Sequence, residues 1–358
     1  MNRFLTLLMM LIGLAGPAVA QRPPGYPRSY DDLIAAARAE GGVRIYGNAD
    51  AAAMAPLTAA FRRAFPGIAV RYEDLESREI YRRVVSAARN QGSGNGPDLV
   101  WSSGMDLQAK LINDGYAQAY QSPEKPALPA NAVWKNMGYG VTAEPVAFVY
   151  NRRLIRPGRV PRTHEAFEAL LRADRVALTG KVATYDPARS NVGYLYLTQD
   201  HAITRDTRSL VQAMATTRPW LSPTTEPMLD AVADGRIAIA YNVVGPYALT
   251  AAKRDPRLGV VFPRDYTLIA SRVAFIARDA RRPAAAKLFL DFLLSRTGQS
   301  LLARQWLLPV RQDLRAPRLP AAQQRPIRVG PGLLVNLDTI KRRRFLADWR
   351  ATLIQGAK

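Results

Sequence analysis

Residues 236–253 read RIAIAYNVVGPYALTAAK. An apolar run of strand type reaches Tyr241 and Asn242, and Val243 and Val244 follow. Gly245-Pro246 stops the strand, and Tyr247 opens a helix-like stretch. A turn needs only the Gly and the Pro. Tyr241, Asn242 and Tyr247 around the break point instead to a ligand held where a strand hands over to a helix. In open α/β sheets that is the edge at which ligands bind.

The same alternation runs outward on both sides. A Pro-rich leader, QRPPGYPRS (21–29), precedes a helical stretch from Tyr30 to Glu40 that ends at Gly41-Gly42. VRIYG (43–47) reads as a strand, and NADAAAMAPLTAAFRRAF begins a helix. After the Pro66-Gly67 turn come the strand IAVRYED, the helix REIYRRVVSAAR, the flexible GSGNG (92–96), the strand DLVWSS (98–103) and the helix GMDLQAKLINDG. YGVTAEPVAFVYN (139–151) reads as one long strand, KVATYDP (181–187) as another, SNVGYLYLTQD as the start of a helix and EPMLDAVADG (226–235) as a short one. Beyond Tyr247, LGVVFPRD and TLIASRVAFIARD read as one strand each. RPAAAKLFLDFLLSRTGQSLLARQW is one long amphipathic helix, and LDTIKRRRFLADWRATL is a last one. This order predicts an α/β protein with largely parallel sheets. A length of 358 residues predicts about two domains, and 48% hydrophobic residues suffice for a normal core.

Composition removes whole classes of function. There is no cysteine, so disulfides, thiolate metal sites and cysteine nucleophiles are excluded. The histidines are two, His164 and His201, too few for a multi-histidine metal site. MNRFLTLLMMLIGLAGPAVAQ carries a basic Arg3, an apolar run from Phe4 to Leu14 and the A-x-A site Ala18-Val19-Ala20. It reads as a secretory signal over residues 1–20, cleaved near Ala20. Its apolar run is too short to span a bilayer, so the mature chain is expected to be exported to the periplasm. The formal charge is +21, and Lys accounts for eight of the 50 basic residues. The Arg are scattered rather than interleaved with stacking aromatics, so no nucleic-acid partner is expected. The positive field draws anionic solutes toward a cleft.

No catalytic signature is present: no G-x-S-x-G, H-E-x-x-H, P-loop or Asp-rich calcium loop. GSGNG follows a helix and precedes a strand, the wrong order for a phosphate loop. What recurs is small polar residues at strand ends: Asn48 and Asp50, then Ser102 and Ser103, Ser190 and Asn191, and finally Tyr241, Asn242 and Tyr247. Helix N-termini at such places offer free N–H groups and a positive dipole to an anion.

ADGRIAIAYNVVGPYA together with GVVFPRDYTLIASRVAFIARDARRPAAAKLFLDFLLSRTGQSLL resembles the extracellular solute-binding proteins of bacterial ABC transporters. The nearest group is the iron/thiamine-type periplasmic binders, including the phosphoglycerate-transport regulatory type. VAFVYNRRLI and THEAFEALL within 146–171, PDLVWSSGMD (97–106) and FLADWRATL fit as well. The resemblance covers about residues 30–352. It implies the type II periplasmic-binding-protein fold, two α/β lobes joined by a hinge that close on a ligand, with no cofactor and no catalysis. The lobes it implies are 30–143 with about 263–305, and 145–262. The chain would cross between them near Ala143–Val149 and Phe262–Thr267, and residues 306–358 would lie on either lobe. Tyr241, Asn242 and Tyr247 would then line the cleft, with Asn48, Ser102, Ser103, Ser190 and Asn191 around it.

Three ligand classes stand open at the level of sequence. Ferric-binding members of the family carry adjacent tyrosines where this chain has Val244-Gly245-Pro246-Tyr247, so Tyr247 alone matches. Thiamine calls for an aromatic sandwich and an acid, to which Trp101, Tyr241 and Asp265 contribute. A phosphorylated or carboxylated metabolite suits the net charge and the Ser/Asn caps, with Arg272, beside Ser271, as the charged contact. The expected protein is a monomer. Its expected partner is an ABC permease or, alternatively, a membrane histidine kinase that senses the loaded form. An exported hydrolase working on carboxylates alone is a third reading.

Overall fold

The computed structural model describes residues 22–89, 96–305, 307–315 and 319–356. The signal segment and residues 92–95 of GSGNG lie outside them. Chain order begins α1 (Tyr30–Glu40), β1 (Gly42–Gly47), α2 (Ala51–Ala64), β2 (Ala69–Asp74), α3 (Ser77–Arg89), β3 (Leu99–Ser102), α4 (Met105–Asn113), β4 (Val133–Trp134) and β5 (Gly138–Gly140). It continues with β6 (Glu144–Asn151), α5 (His164–Ala173), α6 (Arg175–Leu178), β7 (Val182–Tyr185), α7 (Asn191–Ile203), α8 (Thr207–Thr216), β8 (Trp220–Ser222), α9 (Thr225–Ala233), β9 (Ile239–Val244), α10 (Gly245–Arg254), β10 (Leu258–Val261) and β11 (Thr267–Ala270). It ends with β12 (Val273–Ile276), α11 (Pro283–Leu294), α12 (Arg296–Arg304), β13 (Gln324–Pro326) and α13 (Thr339–Gly356).

Two sheets result. One has the order β2-β1-β3-β12-β5-β4, the other β13-β11-β6-β9-β7-β8 with β10 also paired to β6. Both are mixed rather than largely parallel. β12 runs antiparallel to β3 and β5, and β6 runs antiparallel to β9, β10 and β11. β4 and β5 also pair antiparallel, and β6 and β12 each follow a crossing between lobes.

Three stretches read as continuous are broken. YGVTAEPVAFVYN gives β5 to one sheet and β6 to the other. Between them the Val141 amide donates to the Arg272 carbonyl and the Ala143 amide to the Leu308 carbonyl. TLIASRVAFIARD breaks the same way: β11 pairs with β6, β12 with β3. The return crossing is therefore Ser271-Arg272, not the Phe262–Thr267 region. The long helix after Arg282 stops at Ser295, which is extended (φ −65, ψ 162) and caps α12 by accepting from the Gly298 amide.

Each lobe has its own core. In the first, Phe61, Phe65, Phe289 and Phe292 pack edge to face between α2 and α11. In the second, Phe148, Phe167 and Tyr241 stack under β6 and β9. The tail touches both. β13 joins the second sheet, the Val329 amide bonds the Asn131 carbonyl of the first lobe, and the 3-10 turn Pro331–Leu337 packs on α4. α13 then returns to α8, burying Trp349 in the second core.

Candidate functional site

A cavity of about 860 Å³ opens between the lobes. The ends of β1, β3, β7 and β9 and the first residues of α3, α7, α9 and α10 converge on it. Its central charge is Arg272, in the return crossing, 2% exposed. Nε donates to Glu144 Oε1 at 2.9 Å. Nη1 donates to the Asn48 carbonyl at 3.0 Å and to its Oδ1 at 2.8 Å. Nη2 donates to Tyr247 Oη at 3.1 Å. Burial works against the charge, but Glu144 and Tyr247 outweigh it and hold the guanidinium above its ordinary pKa. Thr142 ties the two crossings together: its Oγ1 donates to Glu144 Oε1 and accepts from the Arg272 amide, both at 2.8 Å.

The first-lobe wall is a network of short polar side chains. Asn48 Nδ2 donates to Ser77 Oγ at 2.9 Å and Ser103 Oγ at 2.6 Å, and the Ser103 amide donates back to Asn48 Oδ1 at 3.0 Å. Gly104 is glycine because a Cβ there would sit 3.0 Å from that of Ser77. From the second lobe, Ser190 caps α7 by accepting from the Gly193 amide, and Asn191 reaches across to Asp106 Oδ1 at 2.7 Å. Arg78 crosses the other way to the Ala188 carbonyl at 3.4 Å. Burial pushes the Asp106 carboxyl up, and its Oδ2 has no hydrogen-bond partner.

Tyr247 is the third residue of α10, its hydroxyl toward Arg272. Asn48, Ser103, Ser190, Asn191, Tyr247 and Arg272 thus all line the cavity. Four other candidates do not. Ser102 lies behind Ser77, bonded to it at 2.9 Å. Tyr241 and Asn242 turn into the second lobe, where both donate to Asp200 Oδ2, at 2.8 and 2.6 Å. The cause is a bulge. The register of β6 and β9 shifts between Ala147 and Val149, Asn242 takes φ 59, and two consecutive side chains reach one carboxylate. Asp265 instead accepts from the His164 amide at 3.0 Å, its Oδ2 lying 2.9 Å from the His164 ring nitrogen, away from the cleft.

Sequence reasoning missed Ser77, Glu144, Tyr185 and Thr225. Ser77 follows a strand and opens a helix, the same signal that exposed Ser103 and Ser190. Glu144 carried no such signal, since nothing local shows that a strand acid is buried. The rim adds Asp50, Asp74, Glu76, Glu226, Asp230 and Asp255, against the guanidinium groups of Arg78, Arg189 and Arg254. Asp74 is occupied at the start of α2, bonding the Ala51 amide; burial and neighbouring Asp50 push its carboxyl up. Among the described residues no group of three or more His, Asp or Glu is placed to hold a metal.

The geometry has counterparts. A family model described as bacterial extracellular solute-binding protein matches residues 43–306. The substrate binding protein of an ABC transporter from Agrobacterium tumefaciens superposes with a TM-score of 0.80 at 35% identity, over 87% of this chain and 94% of that one. Iron-bound HitA from Pseudomonas aeruginosa gives 0.69 at 17% identity, over 87% and 99% of the two chains. AfuA from Actinobacillus pleuropneumoniae with fructose-6-phosphate gives 0.70 at 17%, over 87% and 98%. The comparison with curated proteins gives no match. With the type II two-lobe fold, a polar cleft at the strand ends and a family match over most of its length, the chain belongs to the bacterial extracellular solute-binding proteins and is a binder rather than an enzyme.

Proposed function

We propose that the protein captures a small anionic solute, a phosphorylated or carboxylated metabolite, between its lobes. It then presents that solute to an ABC permease of the inner membrane, working in the periplasm after loss of residues 1–20. The observation that carries this reading is the Arg272 guanidinium, fixed at the floor of a cavity onto which four helix N-termini open. Helix N-termini and a guanidinium are the donors an oxyanion needs. The cavity also holds hydroxyl and amide groups of Ser77, Ser103, Asn191 and Thr225. A ferric ion fits less well. Among the described residues no group of three or more His, Asp or Glu is placed to hold it, and Tyr247 Oη already accepts from the Arg272 guanidinium. Permease delivery is taken from the Agrobacterium tumefaciens relative, a substrate binding protein of an ABC transporter.

Native mass spectrometry of the purified protein, followed by calorimetry with phosphate monoesters, dicarboxylates and ferric citrate, tests the reading. Binding of an anion is expected. Tyr247→Phe should keep the melting temperature and weaken binding by about 0.5–1.5 kcal/mol, the worth of one hydrogen bond. Capture of ferric citrate with a phenolate absorption band, and of none of the organic anions, overturns it.

A further inference from the structure

The lining of the 860 Å³ cavity extends beyond the residues around Arg272. α9 and α10 both start at the anion-binding end. Their first turns meet at Tyr185, whose hydroxyl lies 2.5 Å from Thr225 Oγ1 and bonds the Val244 backbone. The two helices touch, and residues of both line the cavity as far as their last turns. Thr225 to Ala233 spans about 12 Å of helix, and Tyr247 to Arg254 about 10 Å. Along this arm four apolar residues line the cavity, Leu229 and Ala233 one turn apart on α9, Ala251 on α10 and Leu258 on β10. Leu229 and Leu258 are buried in the core, and the two alanines are half-buried against it. Glu226, Asp230 and Arg254 stand exposed along the arm, and the half-buried Thr250 and Asp255 line it as well.

We propose that this arm is a second subsite and that the solute is an elongated anion. Its charged head sits at Arg272 and the helix starts, and an apolar chain about as long as the arm lies between α9 and α10. The inference rests on the anion reading above and extends it to a substrate class: monoesters or monocarboxylates with an extended hydrocarbon tail, in preference to compact anions. Ala233 and Ala251 set the specificity, since any larger side chain there fills the arm and leaves the head untouched.

Calorimetry with inorganic phosphate, methyl phosphate and hexyl phosphate, repeated with acetate and hexanoate, separates the two ideas. Each buried methylene multiplies affinity by about four, so the long member of a series is expected to bind at least tenfold tighter than the short one. Ala251→Leu should erase that preference while leaving methyl phosphate or acetate within about twofold of the parent. Ala233→Leu, from the opposite wall, should do the same, and both should melt near the parent temperature. Equal affinity for short and long members, or variants that weaken both alike, overturns the second subsite and leaves the anion reading standing. Failure of both series to bind overturns the anion reading and this inference with it.

Discussion

Arg272 and Glu144 are each 2% exposed and hold one another across the two crossings. A buried ion pair of this kind contributes little net stability, because desolvation offsets attraction, but losing one partner is costly. Arg272→Ala is therefore expected to lower stability by about 3–5 kcal/mol, since Glu144 is left charged and dry. Replacing the pair with Arg272→Met and Glu144→Leu should restore most of that while anion binding stays lost. Urea denaturation read beside calorimetry checks both halves. If the double variant is no more stable than Arg272→Ala, the penalty does not come from the orphaned carboxylate. Arg272 was legible in the sequence because it is a charge interrupting an apolar run, TLIAS-R-VAFI. Tyr241 and Asn242 were misplaced for the opposite reason: a bulge in β9 decides which way these consecutive side chains point, and it shows only once β9 is paired with β6.

Element by element, most helices and strands came through because apolar periodicity is local, while α5, α6, α8 and the short strands β4, β8 and β13 were not read. What did not come through was where a strand changes sheets. Val141 to Ala143 and Ser271 to Arg272 bear no break signal, since their hydrogen bonds go to each other and to Leu308, residues remote in sequence. The Gly245-Pro246 break has a double cause. Pro fits the first turn of α10. Gly is required because a Cβ at 245 would lie 2.1 Å from the Pro145 carbonyl oxygen and 3.1 Å from the Phe262 ring. The start of α10 is thus pressed against the first residues of β6, just ahead of Tyr247 in the chain. Gly245→Ala must push the two apart. A loss of about 1–3 kcal/mol is expected, with a drop in anion affinity larger than that of Tyr247→Phe. Thermal melts and calorimetry on the two variants give the comparison; an unshifted melt would mean the contact yields freely.

For the whole molecule, the strand order has a consequence for time. β12, residues 273–276, lies at the centre of the first sheet, between β3 and β5. α11, which supplies Phe289 and Phe292 to the same lobe, comes later still. The second sheet waits for no central strand of this kind, although α13 closes over α8 of that lobe only at the end of the chain. β6, β7, β8, β9 and β10 are all encoded between residues 144 and 261, and the strands added afterwards, β11 and β13, take its edge. As the chain is made from its N-terminus, the sheet encoded first must therefore gain its central strand only after the central strands of the second sheet are made, through pairings of very long sequence separation, which are slow to form. A chain ending at residue 262 is expected to protect the amides of β6, β7 and β9 against hydrogen exchange and to leave β1, β2 and β3 exchanging freely. Protection in β1 of that shortened chain would show that the first lobe matures without its central strand.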